Sequence, residues 1–246
     1  MSTEDIILTV LILVAALLYA SVGHAGASGY LAAMALTGIA PAVMKPTALT
    51  LNILVASIAT YKFYRAGAFS WPLFWPFAVA AMPFAYLGGL LTLPGHIYKP
   101  LVGAVLIYAA WRSFHTAHQA AYSADVRPSL LILIPVGAAL GFLSGLTGVG
   151  GGIFLSPLLL FLRWAQVRVI SGIAAAFILV NSIAGLMGVM SANITLPSAL
   201  PYWAIAAMVG GFIGAEYGSK RLGNPIIQKL LAVVLAIAGA KMIAAV

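Results

Sequence analysis

Residues 141–152 read GFLSGLTGVGGG, and six of these twelve positions are glycine. Glycine is the poorest ordinary helix former, yet this stretch interrupts an apolar run that begins at Leu130. A second interruption, SVGHAGASG at 21–29, follows the apolar run that begins at Ile6. Each interruption therefore predicts that a long helix ends and that another helix begins a few residues later.

The rest of the chain is typical of a protein that lies in a lipid bilayer. Hydrophobic residues make up 63% of its 246 positions and charged residues only 7%, against about 25% in soluble domains. Apolar runs of near-spanning length recur from end to end, which predicts an all-α polytopic membrane protein. Glu4 and Asp5 stand where a signal peptide would carry basic residues, so the first run is interpreted as a retained helix.

The charged residues and the absence of cysteine exclude several classes of function. The formal charge is +8, but the basic residues are dispersed at helix ends, whereas a nucleic-acid site gathers them into a patch. We therefore expect no nucleic-acid partner; a homo-oligomer remains open. No cysteine is present, which removes disulfides and cysteine-ligated metals from consideration. No cofactor or metal is expected.

The two halves of the chain resemble each other. Shifts of 123 and 126 residues align the glycine breaks, a basic residue after each break and an Ala-Ala-Met run. The aligned pairs are Ser21 with Ser144, Gly29 with Gly152, Lys45 with Arg168, and Ala80-Ala81-Met82 with Ala206-Ala207-Met208. Residues 1–114 are predicted to form the first transmembrane repeat and residues 130–246 the second, joined by the polar linker 115–129.

Each repeat is predicted to contain a long helix, a glycine-rich break, a short half-helix and three further transmembrane helices. The short helices are expected at Gly29–Leu36 and Ile153–Leu162, and each covers about half of a bilayer. The whole chain then has eight full spans and two short segments. Whether the short segments are re-entrant stays open.

The distribution of lysine and arginine predicts the orientation. With a cytoplasmic linker, nine of the twelve basic residues lie inside, as the positive-inside rule requires. The nine are Lys62, Arg65, Arg112, Arg127, Arg163, Arg168, Lys220, Arg221 and Lys229; the other three are Lys45, Lys99 and Lys241. Both termini are then outside, and the two repeats have opposite orientations. Inverted repeats with interrupted helices are the architecture of secondary transporters.

The breaks predict a site for an anion near the middle of the membrane. A broken helix exposes backbone N–H groups and a positive dipole end, and glycine lets a ligand approach the main chain. Hydroxyl groups flank both breaks, and no carboxylate does. The predicted substrate-binding residues are Ser21, His24, Ser28, Gly29, Asn52, Ser144, Thr147, Gly150, Gly151, Gly152 and Asn181.

Residues 142–157, FLSGLTGVGGGIFLSP, resemble the signature of the TauE/SafE family of sulfite and organosulfonate exporters. The resemblance extends over nearly the whole chain, because the first break and the repeat spacing agree with it. It implies an inner-membrane carrier for small sulfur-containing anions such as sulfite, sulfonates or sulfoacetate.

Several polar residues have two readings. The first break departs from the fuller glycine pattern of the second, which has Thr147, Gly148, Gly150 and Gly151 where the first has His24, Ala25, Ala27 and Ser28. His24 either contacts substrate or couples protons, or it hydrogen-bonds the broken backbone. Lys45 and Arg168 either attract anions into the two vestibules or extend to the membrane interface. Asn52 and Asn181 bind ligand or hold helices together.

The leading hypothesis is a secondary carrier that works by alternating access and is expected to export its substrate. It is driven by the membrane potential, which favours anion exit by about 2.3 kcal/mol per charge per 100 mV, or by proton coupling. The alternatives are a passive anion channel or a structural subunit of a membrane complex. An enzyme is not expected, because the spans offer one histidine with no carboxylate beside it.

Overall fold

The structure, a computed structural model, describes residues 3–116, 129–191, 196–220 and 225–244. These residues form ten α-helices and no β-strand. The helices are α1 Thr3–Ala20, α2 Ala27–Leu36, α3 Pro41–Arg65, α4 Trp71–Leu90, α5 Gly95–Thr116, α6 Leu130–Thr147, α7 Gly152–Phe161, α8 Val167–Val189, α9 Leu200–Lys220 and α10 Pro225–Ala244. Most of the predicted linker, residues 117–128, lies outside the described residues.

The two predicted short helices are present as α2 and α7, each ten residues long. They begin at Ala27 and Gly152, slightly earlier than the sequence indicates. A helix of ten residues is about 15 Å long, whereas the hydrocarbon core is about 30 Å thick. Neither helix is therefore long enough to cross a membrane alone.

Four helices in the described ranges are long and apolar enough to cross a membrane: α3, α4, α6 and α8. The other long helices, α1, α5, α9 and α10, contain 18 to 22 residues, which corresponds to about 27 to 33 Å. For these four helices, a full span stays a prediction.

The main helix contacts join the two halves of the chain. Helix α1 packs on α9 and α6 packs on α4, while α3 packs on α9 and α8 packs on α4. The remaining large contacts are α3 with α8 and α5 with α10. Exchanging each helix of the first half with its counterpart in the second half leaves this set of pairs unchanged.

Glycines on α6 and α9 allow two of these pairs to approach closely. A Cβ atom on Gly141 or Gly145 would meet the carbonyl oxygen of Ala81 or Ala85 in α4. Gly210, Gly214 and Gly218 of α9 lie in the same way against the carbonyl oxygens of Leu13 and Leu17 in α1 and of Ser21, which directly follows α1. Small residues bring membrane helices into backbone contact, so these glycines let α6 pack closely on α4 and α9 on α1.

We expect Gly145→Ala to lower the free energy of unfolding by about 2 kcal/mol, because the added methyl group overlaps Ala85 and pushes α6 away from α4. Thermal melting of the purified protein in detergent measures this loss. Gly95→Ala is the control, since the nearest atom to its added Cβ, Pro41 Cγ, is 3.9 Å away. Equal melting temperatures for the two variants would contradict the close approach of α4 and α6.

Candidate substrate site at the two glycine breaks

The first break, residues 21–26, separates α1 from α2. Gly23 and Gly26 have φ angles of +79° and +105°, a left-handed conformation that glycine adopts at little cost. Gly26 precedes α2 without providing a side-chain cap. Among the described residues, no acceptor reaches the amides of Ala27 and Ser28. This helix therefore begins with free, buried N–H groups, which attract negative charge.

The second break, residues 148–151, separates α6 from α7 and contains three left-handed glycines. The φ angles of Gly148, Gly150 and Gly151 are +82°, +85° and +78°. An L-residue in this conformation costs about 1 to 2 kcal/mol. The sequence GVGGG thus supplies glycine at each position where the chain turns in this way.

The start of α7 also leaves backbone donors free. The amide of Val149 donates to the hydroxyl of Thr147 at 3.4 Å. Within the described part of the chain, the amides of residues 150–152 have no acceptor, and α7 has no side-chain cap. Three consecutive N–H groups at a helix N-terminus provide the geometry that binds oxyanions.

His24 connects the two breaks. Its Nε2 lies 3.2 Å from the carbonyl oxygen of Gly152 and 3.2 Å from the hydroxyl of Ser156, both in α7. Its Nδ1 lies 3.3 Å from the carbonyl oxygen of Val22. The imidazole therefore contacts the broken backbone of both halves, and it brings the starts of α2 and α7 together.

Asn52 of α3 lies against the second break. Its Nδ2 donates to the carbonyl oxygen of Val149 at 3.5 Å and to the hydroxyl of Ser182 at 3.3 Å. A Cβ atom on Gly150 would lie 2.8 Å from the same nitrogen. Helices α3 and α8 thus hold the break between them.

Three buried side chains around the second break carry polar atoms without a partner. Ser144, Asn52 and Asn181 are each 0% exposed. The unpartnered atoms, as far as the described residues show, are Ser144 Oγ, Asn52 Oδ1, and both Oδ1 and Nδ2 of Asn181. Buried polar groups normally form hydrogen bonds, because leaving one unpaired costs about 1 to 3 kcal/mol.

The positions of Ser144 and Asn181 follow from their neighbours. A Cβ atom added to Gly151 would lie 3.2 Å from the Cβ of Ser144. Phe177 lies one turn before Asn181 on α8 and faces Gly151. Gly185 lies one turn after Asn181 and faces α6. Residues four apart share one face of a helix, so Asn181 lies on the α8 face that covers the break and α6.

Other predicted site residues form hydrogen bonds within their own chain segment or pack one helix against another. The hydroxyl of Ser21 donates to the carbonyl oxygen of Leu18 at 2.6 Å, and that of Thr147 donates to Leu143 at 2.7 Å. Ser28 is buried in the first turn of α2. Gly29 lies inside α2, where an added Cβ would be 2.8 Å from Ala15 Cβ, so it packs α2 on α1.

Lys45 and Arg168 engage main-chain carbonyl groups. Lys45 is buried, and its Nζ donates to the carbonyl oxygens of Gly88, Gly89 and Leu91 at 3.0 to 3.1 Å. Arg168 is exposed, and its Nη2 donates to the carbonyl oxygens of Ser219 at 3.0 Å and Ala66 at 3.3 Å. Each cation thus lies at the C-terminal end of the following helix, α4 or α9, where free carbonyls carry partial negative charge.

Sequence reasoning missed three residues that position the breaks. Ser182 and Ser156 contact Asn52 and His24, and the hydroxyl of Tyr98 donates to the carbonyl oxygen of Thr147 at 3.0 Å. The serines resemble common helix-packing residues, and Tyr98 stands near a predicted helix end. Nothing in the linear order connects them with the breaks.

Glu216 of α9 forms ion pairs with Lys220, four residues later on the same helix, and with Lys62 of α3. This pair of contacts connects the C-terminal ends of α3 and α9. The described residues contain no cluster of three His, Cys, Asp or Glu side chains that would suit a metal ion.

Comparison with known proteins agrees with the resemblance noted in the sequence. Residues 8–242 match the protein family described as Sulfite exporter TauE/SafE. The chain is 42% identical over 253 residues to a probable membrane transporter protein of Sinorhizobium fredii, covering 99% of this chain and 100% of the relative. It is 29% identical over 150 residues to a probable membrane transporter protein of Methanocaldococcus jannaschii, covering 60% of this chain and 55% of the relative. No solved structure matches the chain.

Proposed function

The chain belongs to the TauE/SafE sulfite exporter family, and on that premise we propose that it exports small sulfur-containing oxyanions, such as sulfite or organosulfonates, as a secondary transporter. Family membership and the relatives establish a multi-pass membrane transporter. The substrate, the direction and the mechanism are our proposal.

The free amides of residues 150–152 carry this proposal. In our scheme the oxygens of the anion accept hydrogen bonds from these amides and from the hydroxyl of Ser144, while the dipole of α7 supplies positive potential. The opposing start of α2 offers the amides of Ala27 and Ser28. The other predicted residues shape or complete this site.

Alternating access is proposed to arise from two inverted repeats, residues 1–114 and 130–246, joined by the cytoplasmic linker 115–129. The set of contacting helix pairs stays the same when each helix is exchanged with its counterpart in the other half, which supports a two-fold relation between the halves. All eight long helices are proposed to span the membrane. Rocking of one half against the other then opens the site to each side in turn. Contacts between the halves, such as His24 with Gly152, would change in that motion.

The proposed orientation in the inner membrane places both termini outside. Lys62, Lys220 and Arg168 gather where α3 and α9 end, which supports a common cytoplasmic face. Lys45 lies near the start of α3, a helix of 25 residues, and thus at the outer side. An inside-negative potential drives anion exit with about 2.3 kcal/mol per charge per 100 mV. Proton coupling through His24 is the alternative energy source.

Flux measurements in proteoliposomes test the transporter proposal. We expect sulfite efflux to saturate with concentration and to accelerate when a potassium gradient with valinomycin sets an inside-negative potential. Acceleration by a proton gradient alone would instead favour coupling through His24. Flux that rises linearly without saturation, or unitary currents in planar bilayers, would replace the carrier with an anion channel.

A further inference from the structure

Next to the second break lies a hydrogen-bond acceptor that a simple anion site does not need. Amides 150–152 and Ser144 are donors, which suit oxyanion oxygens. Asn52 Oδ1, by contrast, is an acceptor and has no partner among the described residues, although the side chain is 0% exposed. The break and this acceptor are neighbours in space, since a Cβ atom on Gly150 would lie 2.8 Å from Asn52 Nδ2.

The orientation of the Asn52 amide follows from its surroundings. Its Nδ2 points at the carbonyl oxygen of Val149 at 3.5 Å, and this oxygen only accepts hydrogen bonds. Rotating the amide by half a turn would place Oδ1 against that carbonyl, bringing two acceptors together. The amide nitrogen therefore faces the backbone, and the amide oxygen is left for another donor.

Asn181 of α8 carries a second buried amide. It precedes Ser182, which accepts from Asn52 Nδ2 at 3.3 Å. Both Oδ1 and Nδ2 of Asn181 are without a partner in the described part of the chain. The polar groups of this region thus present donors and acceptors together.

We propose that the preferred ligand of this site carries one singly charged anionic group together with its own hydrogen-bond donor, and that Asn52 selects for that donor. The inference rests on the proposed anion-binding function and specifies its substrate class. Suitable ligands are small sulfonates with a hydroxyl or ammonium group, and singly protonated oxyanions. The anionic group accepts from amides 150–152, while the hydroxyl or ammonium group donates to Asn52 Oδ1.

Fully ionised oxyanions fit this arrangement less well. Sulfate presents oxygens that only accept hydrogen bonds, so it satisfies the amides but leaves Asn52 Oδ1 unpaired. A site built to bind a polar group of the substrate discriminates strongly against an analogue that lacks it. The structure therefore favours hydroxyalkyl and aminoalkyl sulfonates over sulfate and over plain alkyl sulfonates.

The test compares two monoanions that differ by one hydroxyl group, 2-hydroxyethanesulfonate and ethanesulfonate, by isothermal titration calorimetry on the purified full chain in detergent. We expect 2-hydroxyethanesulfonate to bind about 10-fold more tightly, a difference of about 1.4 kcal/mol. In Asn52→Leu this ratio falls to about one. Ser57→Ala is the control on the same helix, because Ser57 is exposed and donates only to Ile53; its ratio stays that of the wild type.

The ratio of the two affinities isolates the role of Asn52, because a purely structural defect weakens both ligands alike. Equal wild-type affinities overturn the inference even if Asn52→Leu fails to fold, and so does a hydroxyl preference that survives in Asn52→Leu. Binding of sulfate without 2-hydroxyethanesulfonate overturns the inference but leaves the anion site intact. Absence of binding by both sulfonates, sulfite and sulfate defeats the proposed function itself.

Discussion

Gly151→Ala is expected to bind sulfite about 100-fold more weakly than the wild-type protein. The added methyl group would lie 2.9 Å from Phe177 Cε1 and 3.2 Å from Ser144 Cβ, directly beside the free amides of the second break. Losing two charge-assisted hydrogen bonds to an anion costs about 3 kcal/mol, which corresponds to about 100-fold in affinity. Calorimetric titration with sulfite measures the loss, and efflux from proteoliposomes falls in parallel.

Gly38→Ala separates this effect from backbone strain. Gly38 has the same φ angle of +78° as Gly151, but no atom lies within 4 Å of its added Cβ. Both variants therefore incur a similar conformational cost of about 1 to 2 kcal/mol, while only Gly151→Ala crowds the proposed site. If the two variants bind sulfite equally well, the second break is not where the anion binds.

Lys45→Met is expected to lower the free energy of unfolding by about 3 kcal/mol. Methionine keeps much of the apolar stem, but it removes the three hydrogen bonds to Gly88, Gly89 and Leu91. The carbonyl groups at the end of α4 are then left without this buried donor, and each unpaired group costs about 1 to 3 kcal/mol, partly offset by the desolvation that the lysine no longer requires. Thermal melting in detergent should show a shift of roughly 10 °C.

Lys241→Met is the matched control for Lys45. Lys241 also donates to a main-chain carbonyl, that of Leu36 at 2.8 Å, but the contact is exposed, so we expect its loss to change stability by less than about 1 kcal/mol. An unchanged melting temperature for Lys45→Met, together with slower and less salt-dependent anion transport, would instead assign Lys45 to anion attraction.

The membrane class, the short helices and their positions could be predicted from the sequence because each depends on local properties. Composition alone excludes an aqueous fold. The breaks are visible because a left-handed turn requires glycine at defined positions, and Gly148, Gly150 and Gly151 all have positive φ. The pairing of Glu216 with Lys220 was equally local, since residues four apart are neighbours on a helix.

The partners across the fold could not be predicted in this way. Asn52 reaches Val149, and His24 reaches Gly152 and Ser156, through separations of 97 to 132 residues. In a soluble helix, an apolar stripe marks the face that turns inward. In a bilayer, however, lipid-facing and buried faces are both apolar, so the sequence carries little signal for which face of α3 or α8 covers a break.

The sequence by itself thus determined that this protein lies in a membrane, where its helices are, and where the glycine breaks interrupt them. Only the tertiary structure decided that His24 joins the two breaks, that Lys45 binds the end of α4, and that Asn52 leaves an acceptor at the second break. The physical reason is that local backbone conformation depends on neighbouring residues in the chain, whereas hydrogen bonds between helices depend on rotations and offsets that a uniformly apolar surface does not encode.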